Sequence, residues 1–427
     1  QNLPHEQDFF MQEMLQGRDR WNAAMFVGTN AIFRRTALEA IGGFATNGLT
    51  EDVTTGMRLH ARGGRSAFIA RCVARGMAPE SVEEYLHQRT RWAMGNIQAL
   101  RTDNPLTMPG LSLLQRLIYL SGLTYWFFGW QKMIFLLAPI LYPLTGLVSL
   151  HAKVPIFLGY FVPPFFGGLM IFTRIANGRT GLFYSLLIEF LSAPRIAGAA
   201  LVSLLPVSCR RAFRVTQKGL TGRPQSRIVW PAFLPLFVLW LLTIWALIAD
   251  LMMPGVPSAV SVLVAGWLLF NSIPLSWSLV AAIDYPRPRH FERMPARIPV
   301  QIIGDGKVPA LDGRLQNFSE QGAQIFLTAM PRRMRPSPLR ACLSLPTQGL
   351  LVLQGDVVRQ TMRPTGEVCI ALRWTDIRCD DYRKIVALWL SLKRADAPRL
   401  KPTWPLHSIY ALGERFRAVL TSRSQDV

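Results

Sequence analysis

Two short clusters in the first hundred residues carry side chains that can work on a polar substrate. Thr50-Glu51-Asp52 sets two carboxylates side by side, after Gly48 and ahead of the helix-forming run 53–61. A carboxylate held partly out of water takes a proton from a hydroxyl, although acidic residues at a helix start also simply meet the positive end of its dipole. Gln88 follows Asp52 by 36 residues, and Gln88, Arg91 and Trp92 stand at i, i+3 and i+4 on the amphipathic stretch 80–101. That spacing puts an amide, a guanidinium and an indole on one helix face. A guanidinium grips a diphosphate bidentately and an indole stacks on the apolar face of a sugar, while Arg and Trp are equally at home as membrane-interface anchors.

Two further clusters lie downstream. Phe213, Val215, Thr216 and Lys218 fall in the run FRVTQKG on a basic stretch. Arg293 and Arg297, four apart, precede Asn317, Ser319 and Gly322; alone, two such arginines read as a basic anchor for anionic lipid. The five cysteines, Cys72, Cys209, Cys342, Cys369 and Cys379, are scattered without CxxC pairing, which predicts free thiols and no metal ligand set in this chain.

The elements that must position these groups follow from composition. Half of the 427 residues are hydrophobic and 17% are charged, yet the formal net charge is +21, from 47 Lys and Arg against 26 Asp and Glu. Disorder and a small disulfide scaffold are excluded. Basic and greasy together point to a membrane protein with its cations in cytoplasmic loops, and away from a nucleic-acid binder. Residues 1–106 read as soluble, with short apolar runs at Ala23–Val27 and Ala67–Ala70, half of an α/β domain. The weakly charged stretches Tyr119–Leu150, Val154–Thr173, Ile228–Ala249 and Gly255–Ile283 are each long enough to cross a bilayer. Four crossings put the arginine-rich loop 174–227 inside, as the positive-inside rule requires. Within it, Gly181–Pro206 is interrupted by Glu189, Pro194 and Arg195 and reads as an interfacial helix, as does Met108–Leu120. After Ile283 the pattern turns to strands at Pro299–Ile303, Gln324–Leu327, Gly349–Val358 and Glu367–Arg373, a small all-β domain. Helices are expected over Asp381–Lys393 and Ser408–Leu420. The reading divides the chain into 1–106, 107–283 with a loop at about 207–227, 284–380 and a helical tail 381–427.

The acidic dyad and QxxRW, with apolar spans directly after them, together resemble the processive family 2 glycosyltransferases that make cellulose, hyaluronan and chitin. Trp21-Asn22, Gly28-Thr29-Asn30-Ala31, Phe33-Arg34-Arg35 and Ile41-Gly42-Gly43-Phe44 are similar to the stretch before the dyad in those enzymes. The resemblance implies that 1–106 is the C-terminal half of a GT-A α/β domain. It makes Asp52 the general base, flanked by Glu51 and Thr50. Gln88 and Arg91 would bind donor diphosphate or acceptor, and Trp92 would lie under the acceptor sugar. The family's earlier aspartate and its Asp-x-Asp, which hold uridine and a Mg2+-bound diphosphate, are absent from this chain. They are expected upstream of Gln1, the alternative being a catalytically dead chain.

FxVTxKG resembles the gating loop of bacterial cellulose synthases, which implies that Phe213, Val215, Thr216 and Lys218 close over bound nucleotide sugar. RxxxR followed by [D/N]xSxxG resembles the PilZ domain, a six-stranded barrel. On that resemblance Arg293, Arg297, Asn317, Ser319 and Gly322 bind cyclic di-GMP. The combination is similar to bacterial cellulose synthase catalytic subunits. It implies inverting transfer of glucose from UDP-glucose to a growing β-1,4-glucan, and export of the polymer through the same multi-pass chain in the bacterial inner membrane. Both soluble parts would be cytoplasmic, cyclic di-GMP the activator, Glu80 an inhibitory partner of Arg293 or Arg297, and a periplasmic accessory subunit the partner. Met25-Phe26-Val27-Gly28 departs from the Phe-x-Cys-Gly pattern beside the acceptor, so a β-1,3 or mixed linkage stays open, as does a non-catalytic cyclic di-GMP receptor.

Overall fold

In the computed structural model the described residues are 7–46, 48–70, 79, 81–147, 154–176, 181–205, 227–252, 259–284, 294–303, 310–327, 339–345, 349–362, 367–375 and 377–395. Glu80, Arg293, the 207–226 part of the predicted gating loop and the Ser408–Leu420 helix lie outside them. The chain divides into two compact units, one within 1–286 and one within 287–398.

In the first unit, short helices α1 (Gln7–Phe9), α2 (Leu15–Asp19) and α3 (Arg35–Glu39) lead to α4 (Glu51–Ala61) and α5 (Val82–Thr102). Gly63, at φ 77°, turns the chain out of α4, a conformation open to glycine without strain. Helix α5 starts where the Ser81 hydroxyl accepts the Glu84 N–H at 3.1 Å, with Glu83 and Glu84 in the turn that favours anions. The apolar runs at Ala23–Val27 and Ala67–Ala70 form no strand among the described residues. Side chains satisfy this backbone where a ladder would otherwise do so. Asn22 donates to Gly64 O and accepts from Ser66 N–H, Asp19 accepts from Phe68 N–H, and Gln115 donates to Asn22 O, all at 2.8–2.9 Å.

Apolar helices follow: α6 (Leu113–Thr124), a 3-10 turn Tyr125–Phe127, α7 (Phe128–Thr145), α8 (Val154–Ala176) and α9 (Leu182–Leu204). Strand β1 (Arg227–Ile228) then precedes α10 (Trp230–Leu251), α11 (Ala259–Ala281) and strand β2 (Ile283–Asp284). A capping box between Ser112 and Gln115 starts α6, so the helix expected at 108–120 begins at Leu113 and runs through the 3-10 turn into α7 as one apolar stretch, Leu113–Thr145, in place of a separate interfacial helix. Among the described residues five helical stretches are long and apolar enough to cross a membrane, against the four expected. The fifth is α9. Pro194 and Arg195 leave it one continuous helix of 23 residues, and its Glu189 pairs with Lys132 of α7 at 2.9 Å.

Two contacts tie this helical set to α5. Arg101, at the end of α5, donates to Ser203 O and Leu204 O at the end of α9. Arg227, on β1, meets Glu83 at the start of α5 at 3.2 Å and Asp284 on β2 at 3.6 Å, while Asp284 accepts the Val82 N–H at 2.7 Å. Strands β1 and β2 pair antiparallel, Arg227 opposite Asp284.

The second unit holds β3 (Met294–Pro295), β4 (Pro299–Ile303), β5 (Leu311–Ser319), β6 (Gly322–Leu327), β7 (Leu339–Leu345), β8 (Gly349–Met362), β9 (Val368–Thr375) and α12 (Cys379–Ala395). The order β5-β4-β7-β8-β9-β6 closes through pairing of β6 with β5, so six strands form a barrel, with β3 added beside β5. Closure leaves those six strands no open edge. Its interior is Val300, Ile302, Leu315, Phe318, Ile325, Leu343, Leu353, Ile370 and neighbours, with Ile385 and Leu388 of α12 joining from outside the sheet. The four expected strands are present, and β5 and β7 are two more.

Candidate active site

Helices α4 and α5 bring the first two clusters together. The contact is made at Gly95, one turn beyond Arg91. A Cβ there would lie 2.5 Å from Thr50 Cγ2, 2.9 Å from its Oγ1 and 3.0 Å from its backbone nitrogen. Only a glycine lets α5 lie this close to the residue that opens α4. Thr50 is buried at the N-cap position of α4, and its hydroxyl has no hydrogen-bond partner among the described residues.

Asp52 is half-buried in the first turn of α4 and Glu51 beside it is exposed. Asp52 Oδ1 accepts the Val53 N–H at 2.8 Å. Its other oxygen faces Gly28, where a Cβ would come within 3.0 Å of Oδ2 and φ is +80°. Glycine at 28 therefore both permits the backbone turn and lets that backbone lie close to the carboxylate. Burial pushes the Asp52 carboxyl above the ordinary carboxylate range and the Glu51 charge adds to this, whereas the Val53 N–H and the Arg91 guanidinium pull it down. The group is thus a better proton acceptor than a solvated aspartate, with a cation in electrostatic reach.

Gln88, Arg91 and Trp92 are half-buried on α5. The Trp92 indole packs with Trp126 of the 3-10 turn, ring centroids 6.4 Å apart and edge-on, in a cluster with Ala93, Ile97, Ile196 and Ala200. Arg89, between the motif residues, has its guanidinium over the Trp92 ring. The sequence reading quoted Gly28 in the stretch beside the acceptor without giving it this role, and it gave Gly95 and Arg89 none. A glycine inside a helix costs about 1 kcal/mol relative to alanine, so its place in RWAMG was the signal for a close approach.

Phe213, Val215, Thr216 and Lys218 lie outside the described residues. Of the described residues on either side, Ser203 and Leu204 accept from Arg101 and Arg227 pairs with Glu83. Arg101 and Glu83 stand at opposite ends of the helix that carries Gln88, Arg91 and Trp92.

In the second unit, Ser319 and Gly322 face each other across the turn joining β5 to β6, and Ser319 Oγ donates to Gly322 O at 3.0 Å. A Cβ at Gly322 would run into Leu372 O. Asn317 sits opposite Pro295 of β3 and donates to Gln324 Oε1 at 2.7 Å. Arg297, two residues past Pro295, is exposed beside that strand pair. Arg297, Asn317, Ser319 and Gly322 thus share one end of the β5 strand, while Arg293 lies outside the described residues. Among the described residues of the chain, no group of three or more His, Cys, Asp or Glu is arranged to hold a metal ion.

Comparison with known proteins matches residues 6–172 to the family described as glycosyl transferase family group 2 and residues 287–390 to the PilZ domain. A UDP-forming cellulose synthase catalytic subunit of Pseudomonas fluorescens (strain SBW25) is 33% identical over 331 residues, 76% of this chain and 44% of that one. The subunit of the same description from Xanthomonas axonopodis pv. citri (strain 306) is 32% identical over 406 residues, 91% of this chain and 54% of that one. The chain spans about half the length of these relatives. Among solved structures, the PilZ domain with c-di-GMP of YcgR from Escherichia coli matches 26% of this chain and 95% of that one, at 15% identity and a TM-score of 0.23.

Proposed function

We propose that this chain, which carries a family 2 glycosyltransferase domain followed by a C-terminal PilZ domain and has cellulose synthase catalytic subunits as homologues, supplies the acceptor side, the channel and the regulatory domain of a UDP-glucose-dependent β-1,4-glucan synthase. The observation that carries the reading is the junction of the two motifs: Gly95 of α5 against Thr50 at the start of α4, with Arg91 within electrostatic reach of Asp52.

In the proposed reaction the hydroxyl at the non-reducing end of the glucan lies beside the Asp52 carboxylate. Asp52 takes its proton as the oxygen attacks the anomeric carbon of the donor. The glycosidic bond forms with inversion as the bond to UDP breaks, and Arg91 with Gln88 meets the charge on the departing diphosphate. Trp92 stacks beneath the acceptor sugar. Phe213, Val215, Thr216 and Lys218 close over the nucleotide, a role supported by the contacts of the flanking residues Leu204 and Arg227 with the two ends of α5. Export of the glucan proceeds between the apolar helices of a protein in the bacterial inner membrane, both soluble parts being cytoplasmic. Cyclic di-GMP bound by Arg293, Arg297, Asn317, Ser319 and Gly322 would activate synthesis, with Glu80 the resting-state partner of an RxxxR arginine. A periplasmic accessory subunit would receive the polymer.

The test supplies labelled UDP-glucose to vesicles holding the full-length protein, with and without cyclic di-GMP, and digests the product with a β-1,4-glucanase. Digestible glucan that depends on cyclic di-GMP is expected. Resistant product overturns the linkage, and nucleotide binding without any product leaves a receptor in place of a synthase.

A further inference from the structure

We propose that Arg89 is a positioning residue for the acceptor platform, fixing the plane of the Trp92 indole from the centre of an aromatic cage. The proposal rests on the reading of Trp92 as the sugar-stacking ring. Arg89 follows Tyr85 by four residues and precedes Trp92 by three on α5, so the three side chains share a helix face. The guanidinium carbon is 5.4 Å from the centroid of the Tyr85 ring, 5.1 Å from that of Trp92 and 5.9 Å from that of Trp126. Trp126 comes from the turn between α6 and α7 and is 7% exposed. The cation therefore bridges the motif helix to the first apolar helices.

Burial lowers the Arg89 pKa to about 10, partly offset by the Tyr125 and Tyr184 phenols, so it stays charged at neutral pH. A half-buried cation among apolar groups must be compensated, and the electron-rich ring faces contribute to this. A planar guanidinium lies flat against such rings, which an ammonium cannot do. The torsion that tilts an indole about its bond to Cβ is broad. With the cage in place the Trp92 ring has one tilt available, and that tilt sets where the sugar hydroxyl meets Asp52. The consequence falls on acceptor alignment, not on donor affinity.

The experiment compares R89M, of similar length but uncharged, and R89K with wild type in the full-length protein. We expect R89M to lower turnover about tenfold, the size of one desolvated cation–aromatic contact, with KM for UDP-glucose within about twofold and shorter glucan chains. R89K should fall between. The near-ultraviolet circular dichroism change of R89M should match that of W92F, and the double variant should lose no more than W92F alone. Wild-type chain length and spectrum in R89M, or additive losses, would overturn the proposal. If wild type makes no glucan, the proposed function falls, and the spectral comparison still decides whether Arg89 orients Trp92.

Discussion

Replacing Gly95 with alanine tests the junction of the two motifs most directly. The added carbon would sit 2.5 Å from Thr50 Cγ2 and 3.0 Å from the Thr50 backbone nitrogen, where carbon contacts are comfortable at about 3.5–4.0 Å. The shortfall is thus about 1 Å. Part of it falls on backbone at the start of α4, so a rotamer change cannot relieve it all. Alanine in place of glycine inside a helix gains about 1 kcal/mol, while overpacking costs about 1–3 kcal/mol. The net loss of stability should be small, about 0–2 kcal/mol. Activity should suffer more, because moving a catalytic group by about 1 Å costs on the order of a hundredfold. Polymer synthesis and thermal melting of the purified full-length protein would be measured in parallel. Gly198→Ala on α9, where a Cβ meets nothing within 4 Å, is the control and should leave both unchanged or raise the melting point. Wild-type turnover in G95A would refute the view that close approach of α5 sets the geometry of Asp52.

Asp52→Asn should abolish synthesis without destabilising the protein at neutral pH. The folded pKa is raised, chiefly by burial, so the carboxyl favours the fold at low pH and that contribution is lost as pH rises through the folded value. The melting temperature of D52N should therefore match or exceed wild type at pH 7 and lose that advantage on acidification. His60 has the opposite sign: burial lowers its pKa to about 4, and its ring nitrogens bond Tyr119 Oη at 2.8 Å and Ser66 Oγ at 3.0 Å. Stability should fall as pH drops from about 6.5 to about 4, and melting curves of His60→Gln should be flatter across that window. Arg297→Ala should weaken cyclic di-GMP binding roughly 10–100-fold in titration calorimetry, the range for a charge-assisted contact. Gly322→Ala should unfold the barrel at lower denaturant, since its Cβ meets the Leu372 carbonyl.

Features that local chemistry determines were readable from the residues. Helix α5 showed in its amphipathic period, and β4 in an alternation that the fold realises as exposed and buried positions in turn. Strand β5 was hidden because Asp312-Gly313-Arg314 and Gln316-Asn317 look like loop, and a bulge between Leu315 and Asn317 breaks its period. Strand β7, LRACLSL, does alternate, but it follows a Pro- and Arg-rich run that masked its start. Helix α9 was read as interfacial because Glu189 and Arg195 argued against a crossing, while the Lys132 partner of Glu189 is 57 residues away. In the candidate site, Asp52, Arg91 and Trp92 announced themselves by type and spacing. The absence of side chains at Gly28 and Gly95, and the ring partners of Arg89, are tertiary facts with only faint local traces.

The β1–β2 ribbon bears on how the chain enters a bilayer. Two residues at each end of the α10–α11 hairpin are hydrogen-bonded to one another, so the segment 227–284 closes on itself at its base. Two long apolar helices sealed in this way are a cassette: they can partition into lipid as a pair, delivering both polar ends to the same side. Exchanging that hairpin between homologues should therefore succeed when the cut falls outside Arg227 and Asp284, and fail when it falls inside.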